Sequence, residues 1–437
     1  MKRFITTIKN IFSIADLRTR ILNTLLFLLI FRLGAQVVLP GVDPSQLNKE
    51  AGGLLGLLDT ILGGAFSNAS IFGLGIMPYI SASIVVQLLT VAVPYFQKMQ
   101  KDGESGRKRL NQITRVLTIL VVVPQSITYL AGTIPNEAIL VDRFFFTVSS
   151  VIILTAGTIF CMWLGEKITD KGIGNGISML IMIGIVARLP KALYAEAISR
   201  GTSGALIFLV ELVILFFVVM FVVMLTQAVR RIPVQYARQV VGNKVYGGQR
   251  QYIPLKLNSA GVMPIIFAQS LMFLPSLAAS ALQDRSETAA SIFATFSDFE
   301  SWQYNLSFAV LIILFTFFYT AISVNPNQIA EDMKRNGGFV PGVKPGGQTA
   351  EYIDAILSKI TLPGAIFLAL VAVLPGIASR LGVNQEFAQF FGGTSLLIMV
   401  GVVLDTLQQI ESHLLMRHYE GLMKSGKVKG RSENVAA

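Results

Sequence analysis

Cysteine is almost absent from this chain of 437 residues: Cys161 stands alone inside an apolar run. One cysteine excludes a disulfide framework and a cysteine-based metal site. Histidine is nearly as scarce. His413 and His418 both lie near the C-terminus, where a solvated face is the ordinary reading, so no histidine-centred catalytic or metal constellation can be assembled. The phosphate-binding pattern GxxxxGK[ST] is missing, and the Gly-rich stretch GIGNG at 172–176 lacks the spacing of a dinucleotide loop. The chain is therefore expected to be no enzyme, to hold no cofactor and no metal, and to hydrolyse no nucleotide by that route. Charge is short as well: 14% of residues are charged, against about a quarter in soluble domains. The charges present are mostly basic, with a formal net charge of +11.

What remains is apolar, at 53% of all residues. Runs of roughly 20 apolar residues are the length a bilayer core demands. About ten occur, near 21–39, 74–94, 112–132, 144–164, 173–188, 205–228, 258–282, 304–324, 358–379 and 390–410. This pattern predicts an all-α integral membrane protein. The basic N-terminal stretch 1–20, MKRFITTIKNIFSIADLRTR, reads as an amphipathic helix on the membrane surface rather than a cleavable signal. Lys2, Arg3, Lys9, Arg18 and Arg20 precede the first span, Lys98, Lys101, Arg107, Lys108 and Arg109 follow the second, and 229–257 is basic with no acid. The loop after span seven is acidic (Asp284, Glu287, Asp298, Glu300). The positive-inside rule then puts both termini in the cytoplasm. Arg188, Lys191 and Arg200 break the rule, because a loop at 188–204 would lie outside. Within the spans, Arg32, Glu211 and Asp405 are read as snorkelling from helix ends.

Residues 56–70 do not fit a simple count. They hold a Gly-Gly pair and the polar cluster Ser67, Asn68 and Ser70. Irregular backbone at membrane depth survives only against protein or a water-filled cavity. The segment reads as re-entrant, the alternative being an external surface loop. A second oddity is a repeated phrase: GIMPYISA at 75–82 and GVMPIIFA at 261–268. By the topology above, the two copies head oppositely directed spans. Either they match by chance, or they mark inverted halves, 21–190 and 205–410, followed by a tail at 411–437.

Two cytoplasmic loops look built for partners. In 229–257, Arg230, Arg231, Arg238, Lys244 and Arg250 are interleaved with aromatic residues, and valines and tyrosines alternate around Gly242-Asn243, which predicts a hairpin. The stretch suits rRNA or an acidic protein surface, the alternative being a loop that only sets topology. The loop at 325–357 is similarly long and rich in turn residues.

Several long segments resemble the SecY family, the bacterial protein-conducting channel. They are SIFGLGIMPYISASIVVQLL (70–89), MWLGEKITDKGIGNGISMLIM (162–182), RRIPVQYAR, GGFVPGVKPG and FGGTSLLI (391–398). The resemblance implies ten transmembrane helices in two inverted-repeat halves around a central pore of the cytoplasmic (inner) membrane. Unfolded polypeptides would cross it, and transmembrane segments would leave sideways through a lateral gate. By motif, Ile76, Ile80, Ile181, Ile266 and Ile398 would form the pore ring. Gln87, Asn258 and Gln269 would be the polar residues of the gate. The 56–70 segment, with Asp59, Gly63, Gly64, Phe66 and Asn68, would be the plug. The implied partners are SecE and SecG in the membrane, and the SecA ATPase and the ribosome at the cytoplasmic face. Signal peptides, nascent chains and anionic lipids complete the set. Lys344 stands in GVKPG where the family usually carries Arg, and Lys lacks arginine's bidentate fork. A secondary transporter, which would need acids and carbonyls at the midplane, and a structural scaffold are the rival classes.

Overall fold

A computed structural model describes residues 12–47, 59, 62–201, 204–236, 239–241, 244–246, 250–269, 271, 272, 295 and 301–424. Helices come first: α1 (Ala15–Gly34), α2 (Met77–Ala92), α3 (Pro94–Lys101), α4 (Gly103–Thr133), α5 (Arg143–Lys171), α6 (Gly176–Arg200) and α7 (Ala205–Gln227). Strands β1 (Val229–Tyr236), β2 (Gln239–Val241), β3 (Lys244–Tyr246) and β4 (Arg250–Lys256) follow. After them come α8 (Trp302–Ser323), α9 (Pro326–Arg335), β5 (Gly338–Phe339), α10 (Gly347–Arg380), α11 (Gln385–Ala388) and α12 (Gly393–Lys424).

Among the described residues, seven helical stretches are long and apolar enough to cross a membrane: α4, α5, α6, α7, α8 with α9, α10, and Gly393–Leu415 of α12. An eighth results if α2 and α3 count as one broken span, bent by 102°. The chemistry of the break is local. Pro94 forces the preceding residue out of the helical region, and Val93 is extended (φ −116°, ψ 119°). The run expected over 74–94 therefore stops at Ala92. Helix α1 starts before the expected 21 and stops at Gly34, not 39, because the chain then turns to pair with 69–71. There the Leu39 N–H donates to Ala69 O (2.8 Å) and the Ile71 N–H to Val37 O (2.9 Å). Residues 263–269 are helical; much of the run expected over 258–282 lies outside the described residues. Several hydroxyls inside the spans donate to carbonyls one turn back, as Thr118 does to Thr114 O (2.7 Å) and Ser126 to Val122 O (2.7 Å). This satisfies them without a partner helix.

The expected outer loop at 188–204 is instead mostly helix, since α6 runs on through Pro190 to Arg200. The three basic residues that broke the charge rule have carboxylate partners: Arg188 with Asp59, Lys191 with Glu386, and Arg200 with Glu196 and Glu211.

The chain forms two compact units. One holds the described residues up to Arg188 and those from Val402 onward; the other is drawn from Leu189–Gly401. In the first, Leu62, Ala65, Phe66 and Ala69 pack with Val122, Tyr129, Leu130, Phe146 and Leu154 of α4 and α5. In the second, a three-stranded antiparallel sheet runs β4-β1-β5, with Ile232 opposite Ile253 and Gln235 opposite Phe339. Its buried face (Ile232, Val234, Leu255) packs on Met333 of α9 and Ile353 and Leu357 of α10. The two cytoplasmic loops of the sequence reading are thus one small folded body. The predicted hairpin is present as β2 and β3, with Val241 paired to Lys244.

Candidate functional site

The repeated phrase has one conformation in both copies. Gly75 and Gly261 take left-handed φ values of +50° and +65°, which favour glycine. Two residues later each copy enters a helix whose second residue is proline, pre-set for the first turn. The Ile80 N–H donates to Ile76 O (3.0 Å), and the Ile266 N–H to Val262 O (3.3 Å), at matching positions.

In the first unit, Ile76, Ile80 and Ile181 line one cavity with Phe31, Leu62, Met77 and Leu180. Every lining side chain is apolar. Sequence motifs brought three of the five ring candidates to this place. Ile266 and Ile398 belong to the second unit, where Ile398 is buried near the start of α12.

Leu62 opens the segment that reaches this cavity. Asp59 is buried at 1% exposure and forms an ion pair with Arg188 of α6. Its Oδ1 also accepts the Ser67 N–H (2.9 Å), and Arg188 reaches Ser67 Oγ (3.4 Å). From α1, Arg32 donates to Gly63 O (3.0 Å), so it does not snorkel from a helix end as expected. From α4, the Tyr129 hydroxyl donates to Phe66 O (2.7 Å), and the two rings lie 4.7 Å apart. The Asn68 N–H donates to Gly64 O (3.1 Å). Gly63 has φ +65°, and a Cβ there would come within 2.7 Å of Gly184 Cα. Only glycine lets this backbone press so closely on α6. Asp59, Gly63, Gly64, Phe66 and Asn68 are thus held in one buried turn by three helices. Sequence reasoning missed Arg32, Arg188, Tyr129 and Gly184. A signal existed: Ile181, Gly184 and Arg188 recur at helical spacing, so the cavity face of α6 ends in a charge.

In the second unit, Gln269 lines a cavity with Tyr304, Phe308, Gln389, Thr394 and Ser395. Asn258 is buried, and its Oδ1 meets no hydrogen-bond partner among the described residues. Gln87, on α2 in the first unit, accepts at its carbonyl from Thr90 Oγ1 (2.6 Å). A separate ionic cluster ties α6 to α7. Arg200 donates to Glu196 (2.8 Å), to Glu211 (2.6 Å) and to Gly382 O (2.7 Å), and Glu196 accepts the Asn384 N–H (2.8 Å). Glu211 is therefore buried and paired, not snorkelling.

Of the basic residues singled out for partners, Arg230 and Arg231 are exposed on β1 and Lys344 is exposed before α10. The Lys344 carbonyl accepts from Thr349 Oγ1 (2.9 Å), which fixes the turn and leaves the ammonium outward. Arg238 lies outside the described residues, as do the side chains of Lys244 and Arg250.

The SecY family model matches residues 70–407. The protein translocase subunit SecY of Streptomyces scabiei is 43% identical over 439 residues, covering 96% of this chain and all of that one. That of Corynebacterium glutamicum is 41% identical, covering 94% and 98%. Among solved structures, the fold is similar to that of a protein conducting channel (TM-score 0.62, 15% identity, 90% and 92% covered). It is also similar to the channel of a canine ribosome–channel complex from the endoplasmic reticulum (TM-score 0.59, 15% identity, 90% and 92% covered). A family match across most of the sequence and relatives above 40% identical end to end lead to one conclusion: the chain belongs to the SecY family of protein translocase subunits.

Proposed function

We propose that the chain is the pore-forming subunit through which unfolded polypeptides cross the cytoplasmic membrane, with a lateral gate that releases apolar segments into lipid. The observation that carries this is the apolar cavity in which Leu62 of the re-entrant segment meets Ile76, Ile80 and Ile181. A constriction of apolar side chains excludes ions by dewetting and needs no fixed wall. In this reading the segment 56–70, of which 59 and 62–70 are described, is the plug, Ile266 and Ile398 complete the ring from the second half, and Gln87, Asn258 and Gln269 belong to the gate helices. The halves 21–190 and 205–410 are inverted repeats giving ten spans, and both termini are cytoplasmic. A transporter reading asks for acids at the working site, and the cavity lining has none.

The motor stands outside the chain: SecA or the ribosome docks on the sheet β4-β1-β5 and the Lys344 turn. SecE and SecG are the membrane partners, signal peptides and nascent chains the cargo, and anionic lipids meet the basic rim. Replacing Ile80 and Ile181 together by Ser should wet the constriction. Planar-bilayer recording should then show an ion leak well above the parent while polypeptide transport persists. A conductance equal to the parent would remove the ring assignment. Reversing Arg230, Arg231 and Lys344 to Glu should weaken partner binding about tenfold, most at low salt, because exposed charges are screened.

A further inference from the structure

In the GIGNG turn between α5 and α6, protein acceptors take four of the amides. The Gly172 N–H donates to Ile168 O (2.8 Å), the Ile173 N–H to Thr24 Oγ1 of α1 (3.0 Å), and the Gly176 N–H to Thr169 Oγ1 of α5 (2.9 Å). The Gly174 N–H donates to Gln409 Oε1 of α12 (2.8 Å). Asn175 Oδ1 caps α6 by accepting from Ile177 and Ser178 (3.1 and 3.4 Å). The approach is close. A Cβ on Gly176 would fall 1.9 Å from Gly165 O, and one on Gly174, at φ +86°, 3.1 Å from Thr406 Oγ1. Thr406 and Gln409 are three residues apart and share a face of α12.

From this turn α6 runs as one helix past Ile181, which lines the cavity, past Gly184, which faces Gly63, to Arg188, which holds Asp59. The distance from Gly176 to Arg188 is about 18 Å at 1.5 Å per residue. We infer that Gln409 is a positioning residue for the plug: through Gly174 it fixes where α6 begins, and hence where Ile181 and Arg188 stand. This rests on the plug reading of residues 56–70. Movement of α12 would then reach the plug along a single rigid element that both contacts bias, the physical requirement for coupling.

The test uses the channel purified with its membrane partners, in a background with Cys161→Ser and a reporter Ala65→Cys in the buried turn. Labelling by a water-soluble maleimide and planar-bilayer leak are measured together. Gln409→Leu, which loses the acceptor, should raise both about fivefold, the factor one lost hydrogen bond is worth. Gln409→Glu keeps an acceptor oxygen and should restore parental values, which a simple folding defect would not. If Asp59→Asn raises labelling and leak but Gln409→Leu does not, the coupling is overturned and the plug reading stands. If neither variant moves either readout, the plug reading falls and takes the inference with it.

Discussion

Arg188 and Arg200 sit on the same helix, and both face buried carboxylates, yet they are built differently. Arg188 pairs with the carboxylate of Asp59, on a segment that is tied down by a handful of polar contacts. Arg200 meets two, Glu196 and Glu211, plus the carbonyl of Gly382, and so links two helices and the turn after α10. In the plug reading proposed above, the first partner would leave as a piece and its groups would find water. The second set cannot part without opening the packed helices. On that reading the same chemistry serves as a releasable fastening in one place and a permanent joint in the other.

Four variants break or sharpen this contrast. Arg200→Leu should act most strongly. It leaves Glu196, at 0% exposure, and Glu211 without a counter-charge, and breaking a buried pair in this way costs about 3–5 kcal/mol. The thermal midpoint of the detergent-purified protein should fall sharply, and an unchanged midpoint would deny the joint any structural weight. Arg188→Leu should come second, and its effect should divide: a small fall in the midpoint, roughly 1 kcal/mol, with a clear rise in ion leak as the segment lets go. Asp59→Leu combined with Arg188→Leu should be milder than the sum of the single changes, because no buried charge is left unpaired. Strict additivity would show that the two side chains do not act as a pair. Glu211→Gln should matter least. Among the described residues its Oε2 meets no hydrogen-bond partner, and Glu196 still balances Arg200, so stability should shift by less than about 1 kcal/mol.

Much of the fold was legible because lipid imposes a simple rule, long apolar runs, and the charge bias of loops is equally coarse. The same rule failed where charges enter a helix. Hydropathy ended the fifth span at 188, since Arg188 and Lys191 look like a loop once their partners are unknown. Asp59 and Glu386 lie far away in sequence, and no local pattern announces them. The 102° break at Pro94 was readable from the proline, but an apolar run conceals it. The hairpin at 239–246 was readable from alternation. The two-residue strand β5, which joins the second cytoplasmic loop to the first, has no pattern to read. At the site, motif carried Ile76, Ile80 and Ile181 to one cavity, while Arg32 and Tyr129 act through backbone carbonyls and leave no mark in side-chain chemistry.

Helix α7 has a consequence for how the molecule is made. Only 11% of its most apolar stretch is covered by the rest of the protein, against 50% for α10. Leucine, isoleucine, phenylalanine and valine each favour insertion by a few tenths of a kcal/mol, so α7 enters lipid on its own account as it is synthesised. Helix α10, with two internal prolines and half of its most apolar stretch buried, gains its place only when its neighbours have arrived. Assembly of the second unit therefore has an order: α7 commits first as a fixed post, and α10 is packed late. Glu211, carried into the bilayer on α7 before the later-made turn at Gly382 exists, depends in that interval on Arg200, eleven residues earlier in the chain.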